Sequence, residues 1–116
     1  MVNKIKRGEI FLINLEPIKG SEQGRIRPCL IIQNDTSNEY SPTTIIAPIT
    51  SKIYSKEFPT NVQVSEQDSG LDRESTILLN QIRTIDKSRI IKKLGVLNSV
   101  IMGETDLAIK ISLGLK

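Results

Sequence analysis

Apolar residues in this chain come in short blocks divided by polar punctuation, and their period changes near the end. Glu9 to Leu15 is a brief apolar run with strand composition. Pro17, Gly20 and Gly24 then break regularity, which predicts a loop of about a dozen residues, long for a compact domain. Pro28 to Gln33 is continuous and rich in β-branched residues, the pattern of a strand buried on both faces. Asn34 to Asn38 carries turn chemistry. Thr43 to Thr50 predicts a third strand, with Pro48 placing a bulge or an edge near its end, because proline cannot donate to a ladder. Ser51 to Pro59 reads as a mobile loop with room for a short turn of helix. Thr60 to Val64 alternates polar and apolar as a half-buried strand does. Ser65 to Arg73 is a polar connection containing Gly70. Glu74 to Ile85 predicts one bent strand, or two joined by a kink, with Ile82 and Ile85 toward the core. Asp86 to Ser88 is a turn, and Arg89 to Gly95 a final strand.

From Leu97 the period lengthens. Val100, Ile101, Leu107, Ala108, Ile111 and Leu115 fall at steps of three and four, the stripe of an amphipathic helix. Asn98 is its expected N-cap, able to accept from an early amide. Met102, Ile109 and Leu113 lie off this stripe, either as exposed apolar residues or as a subunit contact. Six or seven short strands before one helix predict a mainly β fold: a small β-barrel or strongly curved sheet with a C-terminal helix. Without repeats, low-complexity tracts or linkers, residues 1–116 read as a single domain.

Length and composition narrow the possibilities. At 116 residues, 38% hydrophobic and 25% charged, the chain can build one core without disulfide or metal. No apolar run reaches the roughly 18 residues of a membrane span, so no membrane partner is expected. The basic start, Met1 to Arg7, lacks the apolar segment of a secretory signal, and a soluble cytoplasmic protein is expected. Cys29 is the lone cysteine and histidine is absent, which excludes a zinc site and a Cys-His nucleophile by inventory. Neither metal nor other cofactor is expected. Acid–base chemistry would fall to Arg, Lys, Glu, Asp, Tyr or water. Sixteen basic against 13 acidic residues give a net charge of +3, which permits a polyanionic partner without demanding one. Phe11, Tyr40, Tyr54 and Phe58 are the only aromatics, few for an RNA-binding stacking platform.

Chemistry concentrates in one stretch, Gly20-Ser21-Glu22-Gln23-Gly24-Arg25-Ile26-Arg27-Pro28. The glycines allow close backbone approach, and a guanidinium clamps a phosphate better than an ammonium does. Ser21, Glu22 and Gln23 carry donors and acceptors that can read base edges. The plain alternative is a solvated surface loop in which Arg27 pairs with Glu22. Thr50, at a strand end, can hold a phosphate oxygen or simply support the sheet. Gln81 and Arg83 fall on the face away from Ile82, as substrate contacts or as an exposed strand face.

The ordered set of motifs resembles the MazF/PemK/Kid toxins of bacterial toxin–antitoxin systems. Gly20 to Gly24 followed by Arg27-Pro28 is similar to their signature loop. The similarity continues through Leu30 to Asp35, Ser41-Pro42-Thr43, Ile49-Thr50, Leu71-Asp72-Arg73 and Gln81 to Lys87. The resemblance implies an SH3-like barrel with a C-terminal helix and a homodimer. It further implies a metal-independent, sequence-specific endoribonuclease that cuts single-stranded RNA to 2′,3′-cyclic phosphate and 5′-hydroxyl ends. By the same resemblance Arg27 and Thr50 are catalytic, and Ser21, Glu22, Gln23 and Gln81 contact RNA, with Arg25 and Arg83 added as RNA-binding candidates. Asn80 stands where close relatives carry glutamate, so the recognised RNA sequence is not carried over. A cognate antitoxin with an acidic, apolar-studded tail is the implied protein partner.

Such cleavage uses the RNA's own 2′-hydroxyl as nucleophile, so the protein must orient a phosphate, stabilise its developing charge and manage two proton transfers. Arg27 suits the charge and the protonation of the leaving 5′-oxygen, and Thr50 a phosphate oxygen. Glu22, water and Arg27 all remain open as the base. A different class on the same fold is a non-catalytic toxin resembling CcdB, which poisons DNA gyrase by protein contact. The intact loop and Thr50 weigh against it.

Overall fold

The alternating and continuous β-branched blocks pair into one antiparallel sheet in the computed structural model, which describes residues 4–54 and 58–116. Its strands are β1 (Glu9–Asn14), β2 (Ile26–Ile31), β3 (Thr43–Thr50), β4 (Asn61–Val64), β5 (Ser75–Leu78), β6 (Arg83–Asp86) and β7 (Ile90–Val96). Helices α1 (Asp35–Tyr40), α2 (Glu66–Ser69) and α3 (Ser99–Leu113) complete the described elements. The strand order is β4-β5-β3-β2-β1-β7, with β6 beside β3. The mainly β, SH3-like expectation with a C-terminal helix holds, although hydrogen bonding does not close the sheet into a ring among the described residues. Of the loop expected over 51–59, residues 55–57 lie outside the described residues, and no helical turn falls among the others.

Strand alternation divides the core in two. Ile10, Leu30, Ala47 and Ile49 face one way and meet Val62, Val64, Ile77, Leu79, Leu97 and Ala108. Phe11, Ile13, Cys29, Ile31 and Ile46 face the other way, where Ile85 of β6 and Ile90 of β7 join them. Because β6 flanks β3 and β7 flanks β1, two strands on opposite sides of the central three converge on this second cluster. That convergence curls the sheet. The central strand β2 is accordingly buried on both faces from Cys29 to Ile31.

β3 is shared. Its first half, Thr43 to Ile46, pairs with β6, and Ile49-Thr50 pairs with β5. The Glu74–Ile85 run is therefore two strands joined by a turn at 79–82, both lying along β3. Pro48 falls in the gap between the two pairings, opposite only Cys29 of β2. A residue without an N–H is tolerated there because no ladder on that side asks for one.

Three local readings are corrected. Residues 35–40 form a short helix rather than a turn. Asn34 caps it, accepting from Ser37 N at 2.8 Å, and the buried Asn38 anchors it. Asn38 donates to Gln33 O and accepts from Gln33 Nε2 and Thr44 Oγ1, a buried network with every partner supplied. Within the connection 65–73, Ser65 caps the short α2, which ends at Gly70 with φ +76. The third concerns which face of α3 is inward. Asn98 caps it as expected, accepting from Ile101 N at 2.9 Å. Yet Val100, Leu107, Ile111 and Leu115 are exposed, whereas Thr105 and Ala108 are buried and Ile101, Met102 and Ile109 pack on the core. Small residues let the helix lie close to β4, and Thr105 Oγ1 satisfies itself on Ile101 O at 2.9 Å.

Candidate functional site

The polar loop begins where β1 ends and closes on itself, Leu15 N donating to Arg25 O at 2.9 Å. Arg25 has φ +67, left-handed for a side chain that seldom adopts it, and its N–H donates to Glu16 Oε1 at 2.6 Å. Gly20 also has φ +54. Gly24 is needed for space instead, since a Cβ there would meet Ile18 Cδ1 at 2.7 Å. Within the loop Glu22 Oε1 accepts from Lys19 N at 2.6 Å. The loop is shorter at its far end than its polarity suggested: Ile26, Arg27 and Pro28 already belong to β2, with Arg27 opposite Ile13 and Pro28 opposite Leu12.

Arginines from the other side of the sheet hold the loop's root. Arg83 Nη1 donates to Leu15 O at 3.2 Å, and Arg89 Nη1 to Asn14 O at 3.2 Å and to Glu16 O. The loop's tip is tied by Gln81, whose Oε1 accepts from Gln23 N at 2.8 Å. Ser21, Glu22, Gln23, Gln81 and Arg83 are thereby brought together around one open depression of about 430 Å³, with Pro48, Asn80 and Ile82 completing its lining. Three of these were missed as lining residues. Pro48 carried a signal, its forced gap in the ladder, and Asn80 sits beside a nominated glutamine. Ile82 carried none, since it reads as core.

Arg27 and Thr50 do not line that depression but share a sheet face with one another. The β2–β3 register pairs Cys29 with Pro48 and Ile31 with Ile46. Continued by two residues, it sets Arg27 level with Thr50, and alternation puts both on the side of the second cluster. Arg83, two residues before the buried Ile85, lies on that side as well. Burial pushes the Cys29 thiol up to about 12, and the positive charges of Arg27 and Arg83 pull against it, in that order of strength. Both guanidiniums therefore act on one point of the sheet. Arg27 Nε donates to Gly24 O at 2.8 Å, which fixes the plane of the guanidinium, and no carboxylate pairs with it among the described residues. The pairing of Arg27 with Glu22 that a passive surface loop would give is not found. Thr50 Oγ1 accepts from Lys52 N at 3.2 Å, so its hydroxyl proton is left to donate elsewhere. Arg25 is exposed and stands outside the depression.

The arrangement is a shallow, cation-rich furrow: two guanidiniums with unspent donors, a hydroxyl and a set of amides on a rigid sheet. It suits a phosphodiester flanked by polar ring edges. Among the described residues no three His, Cys, Asp or Glu side chains gather into a set that could hold a metal ion. No described helix is long and apolar enough to cross a membrane.

Comparison with known proteins bears on family and fold. A family model described as "PemK-like, MazF-like toxin of type II toxin-antitoxin system" matches residues 6–113. Among solved structures, MazF from Deinococcus radiodurans superposes with a TM-score of 0.81 at 24% identity, covering 96% of this chain and 97% of that one. A mycobacterial endoribonuclease in complex with its cognate antitoxin gives 0.82 at 21% identity, with 97% and 98% covered. At these identities the superpositions establish a shared fold.

Proposed function

The chain belongs to the PemK-like, MazF-like toxins of type II toxin–antitoxin systems, and we propose that it is a metal-independent endoribonuclease cutting single-stranded mRNA in the cytoplasm. The observation that carries the reading is Arg27, held by Gly24 O, on the same face as Thr50 and Arg83 and beside the loop depression.

In the proposed reaction the 2′-hydroxyl of the nucleotide before the cut attacks its own phosphorus. The 2′-proton leaves, the P–O5′ bond breaks, and the departing 5′-oxygen takes up a proton. The ends are a 2′,3′-cyclic phosphate and a 5′-hydroxyl. An intramolecular nucleophile needs neither a protein nucleophile nor a metal-bound water. Arg27 stabilises charge on the non-bridging oxygens and gives a proton to the departing 5′-oxygen. Thr50 donates its free hydroxyl proton to a phosphate oxygen. Ser21, Glu22, Gln23, Gln81 and Arg83 hold the strand in the depression, Gln81 through the Nε2 donors its loop contact leaves free. Arg25 reaches RNA only outside that depression. Glu22 Oε1 is occupied by Lys19 N, which leaves Glu22 Oε2, water or Arg27 to take the 2′-proton.

The related endoribonuclease solved with its antitoxin supports a matching antitoxin partner here, and we assign to that partner an acidic tail that covers the cationic furrow. A homodimer completes the proposal. The test is to incubate the purified protein with mixed RNA in EDTA and map the ends. Discrete fragments with cyclic-phosphate ends are expected, and a single 2′-deoxy substitution before the cut should abolish cleavage there. Cutting that stops in EDTA, or persists at the deoxy site, overturns the mechanism. Growth arrest without RNA fragments points to a toxin acting by protein contact.

A further inference from the structure

We propose that Tyr54 and Phe58 form a base-stacking subsite beside the cleavage groove, taking one unpaired nucleobase of the RNA strand; the inference rests on the reading just given and extends it. A second depression of about 130 Å³ is lined by Tyr54, Phe58, Thr60 and Asn61 together with Asn80 and Gln81. Asn80 and Gln81 also line the larger depression under the loop, so the two adjoin at the 79–82 turn. At 130 Å³ the space is well below the roughly 300–1,000 Å³ of a small-molecule site. It suits one planar ring system in a strand that continues into the groove.

The chemistry of the walls identifies the occupant. The two rings stand edge to face, centroids 5.7 Å apart at 84°, an arrangement that leaves ring face uncovered by its partner. Phe58 is 45% exposed although the core holds just one aromatic side chain, Phe11. Lys52 Nζ lies over one face of the Tyr54 ring, 4.8 Å from its centroid, and brings an exposed positive charge to the step while leaving the Phe58 ring to stack. Aromatic face, cation and the amide of Asn80 together match a base, its phosphate and its edge. With only four aromatics in the chain, half of them at this one place is not the scatter expected of surface residues. No stacking platform spreads over the strands. There is one step, next to the cut.

Wild type, Phe58→Leu, Tyr54→Leu and Phe58→Tyr, each checked for native circular dichroism, should be given a randomised single-stranded RNA pool and the cut sites sequenced. Wild type is expected to prefer certain bases at one position flanking the cut. Both leucine variants should flatten that preference and lower kcat/KM roughly ten-fold, since stacking contributes on that order. Phe58→Tyr, which keeps the ring, should retain it. An abasic nucleotide at that position should make wild type and Phe58→Leu equal. Unchanged profiles and rates in both leucine variants overturn the subsite. The same proteins are titrated with a fluorescein-labelled, fully 2′-O-methyl random pool, which has no attacking hydroxyl. Tighter binding by wild type than by Phe58→Leu, with no cutting of ordinary RNA, supports the subsite and overturns the nuclease reading. Equal binding overturns the subsite whatever the cleavage shows. Absence of any RNA binding by wild type overturns both.

Discussion

The side-chain oxygen of Gln81 accepts the backbone N–H of Gln23 at 2.8 Å, joining positions 58 residues apart. Gln81 leaves the β5–β6 turn and Gln23 sits at the tip of the polar loop, so one amide sets how far the loop stands from the sheet. The same side chain keeps its Nε2 donors for a ligand. It has two tasks, one on each end of its amide.

Gln81→Leu should free the loop tip. Loss of one such bond is worth about 1 kcal/mol, so the Gln23 amide should exchange with solvent several-fold faster and RNA cleavage should fall. Gln81→Glu keeps an acceptor and should restore Gln23 protection while losing the donors. Hydrogen exchange by NMR separates the two effects. Equal protection in all three proteins would show that the loop is held by its root alone.

Arg27→Ala should lower kcat by roughly a hundred- to a thousand-fold, the scale of losing one transition-state donor in a preorganised site. Arg27→Lys keeps the charge but neither the Nε–H held by Gly24 O nor the fork, and should recover little of it. Thr50→Ser should retain most activity and Thr50→Val little. Single-turnover cleavage of a defined RNA measures these. Melting temperatures should stay close to wild type, because Arg27 and Thr50 are half-buried at the rim rather than in the core.

Cys29 titrates far from its ordinary value: burial raises it from 9.0 to about 12. The unfolded thiol loses its proton near 9 while the folded one keeps it. The resulting stabilisation is whole below pH 9 and is lost as the pH climbs from 9 to about 12. Urea unfolding at pH 10.5 should show wild type losing more of its neutral-pH stability than Cys29→Ala does. Iodoacetamide at pH 8 should label Cys29 only once the protein is unfolded. Rapid labelling of the native protein would contradict the burial of the thiol.

Substitutions on α3 check which face is inward. Ala108→Leu should destabilise by about 1–3 kcal/mol, since the buried side packs closely on β4. Leu107→Lys, at a position 60% exposed, should stay within about 0.5 kcal/mol of wild type. Urea midpoints decide it. A loss from Leu107→Lys that shrinks on dilution would mark that stripe as a contact between copies.

Much of the fold was legible in local pattern. β3 was read to its exact ends, because alternation and Pro48 are properties of adjacent residues. The Asn98 cap is equally local. The face of α3 was not legible: hydrophobicity favoured Leu107 and Ile111, whereas close packing on β4 favours Thr105 and Ala108. Which side chain is small enough to fit is set by the partner surface. Residues 34–38 read as turn chemistry because Asn38's burial depends on Gln33 and on Thr44 of the next strand.

The candidate site divides in the same way. Sequence by itself determined its inventory: no histidine, one cysteine, a loop rich in guanidinium and amide, and an ordered set of motifs that the family match over residues 6–113 confirms. Tertiary structure decided who meets whom. Strand register set Arg27 level with Thr50, and curling of the sheet brought Arg83 to the same face. The pairing of β3 with two strands left the gap at Pro48, which lines the depression where Gln81 reaches the loop. Short-range pattern specifies which way a side chain points within its own strand. Distances between strands depend on hydrogen-bond register and packing across the whole sheet, which no single stretch encodes.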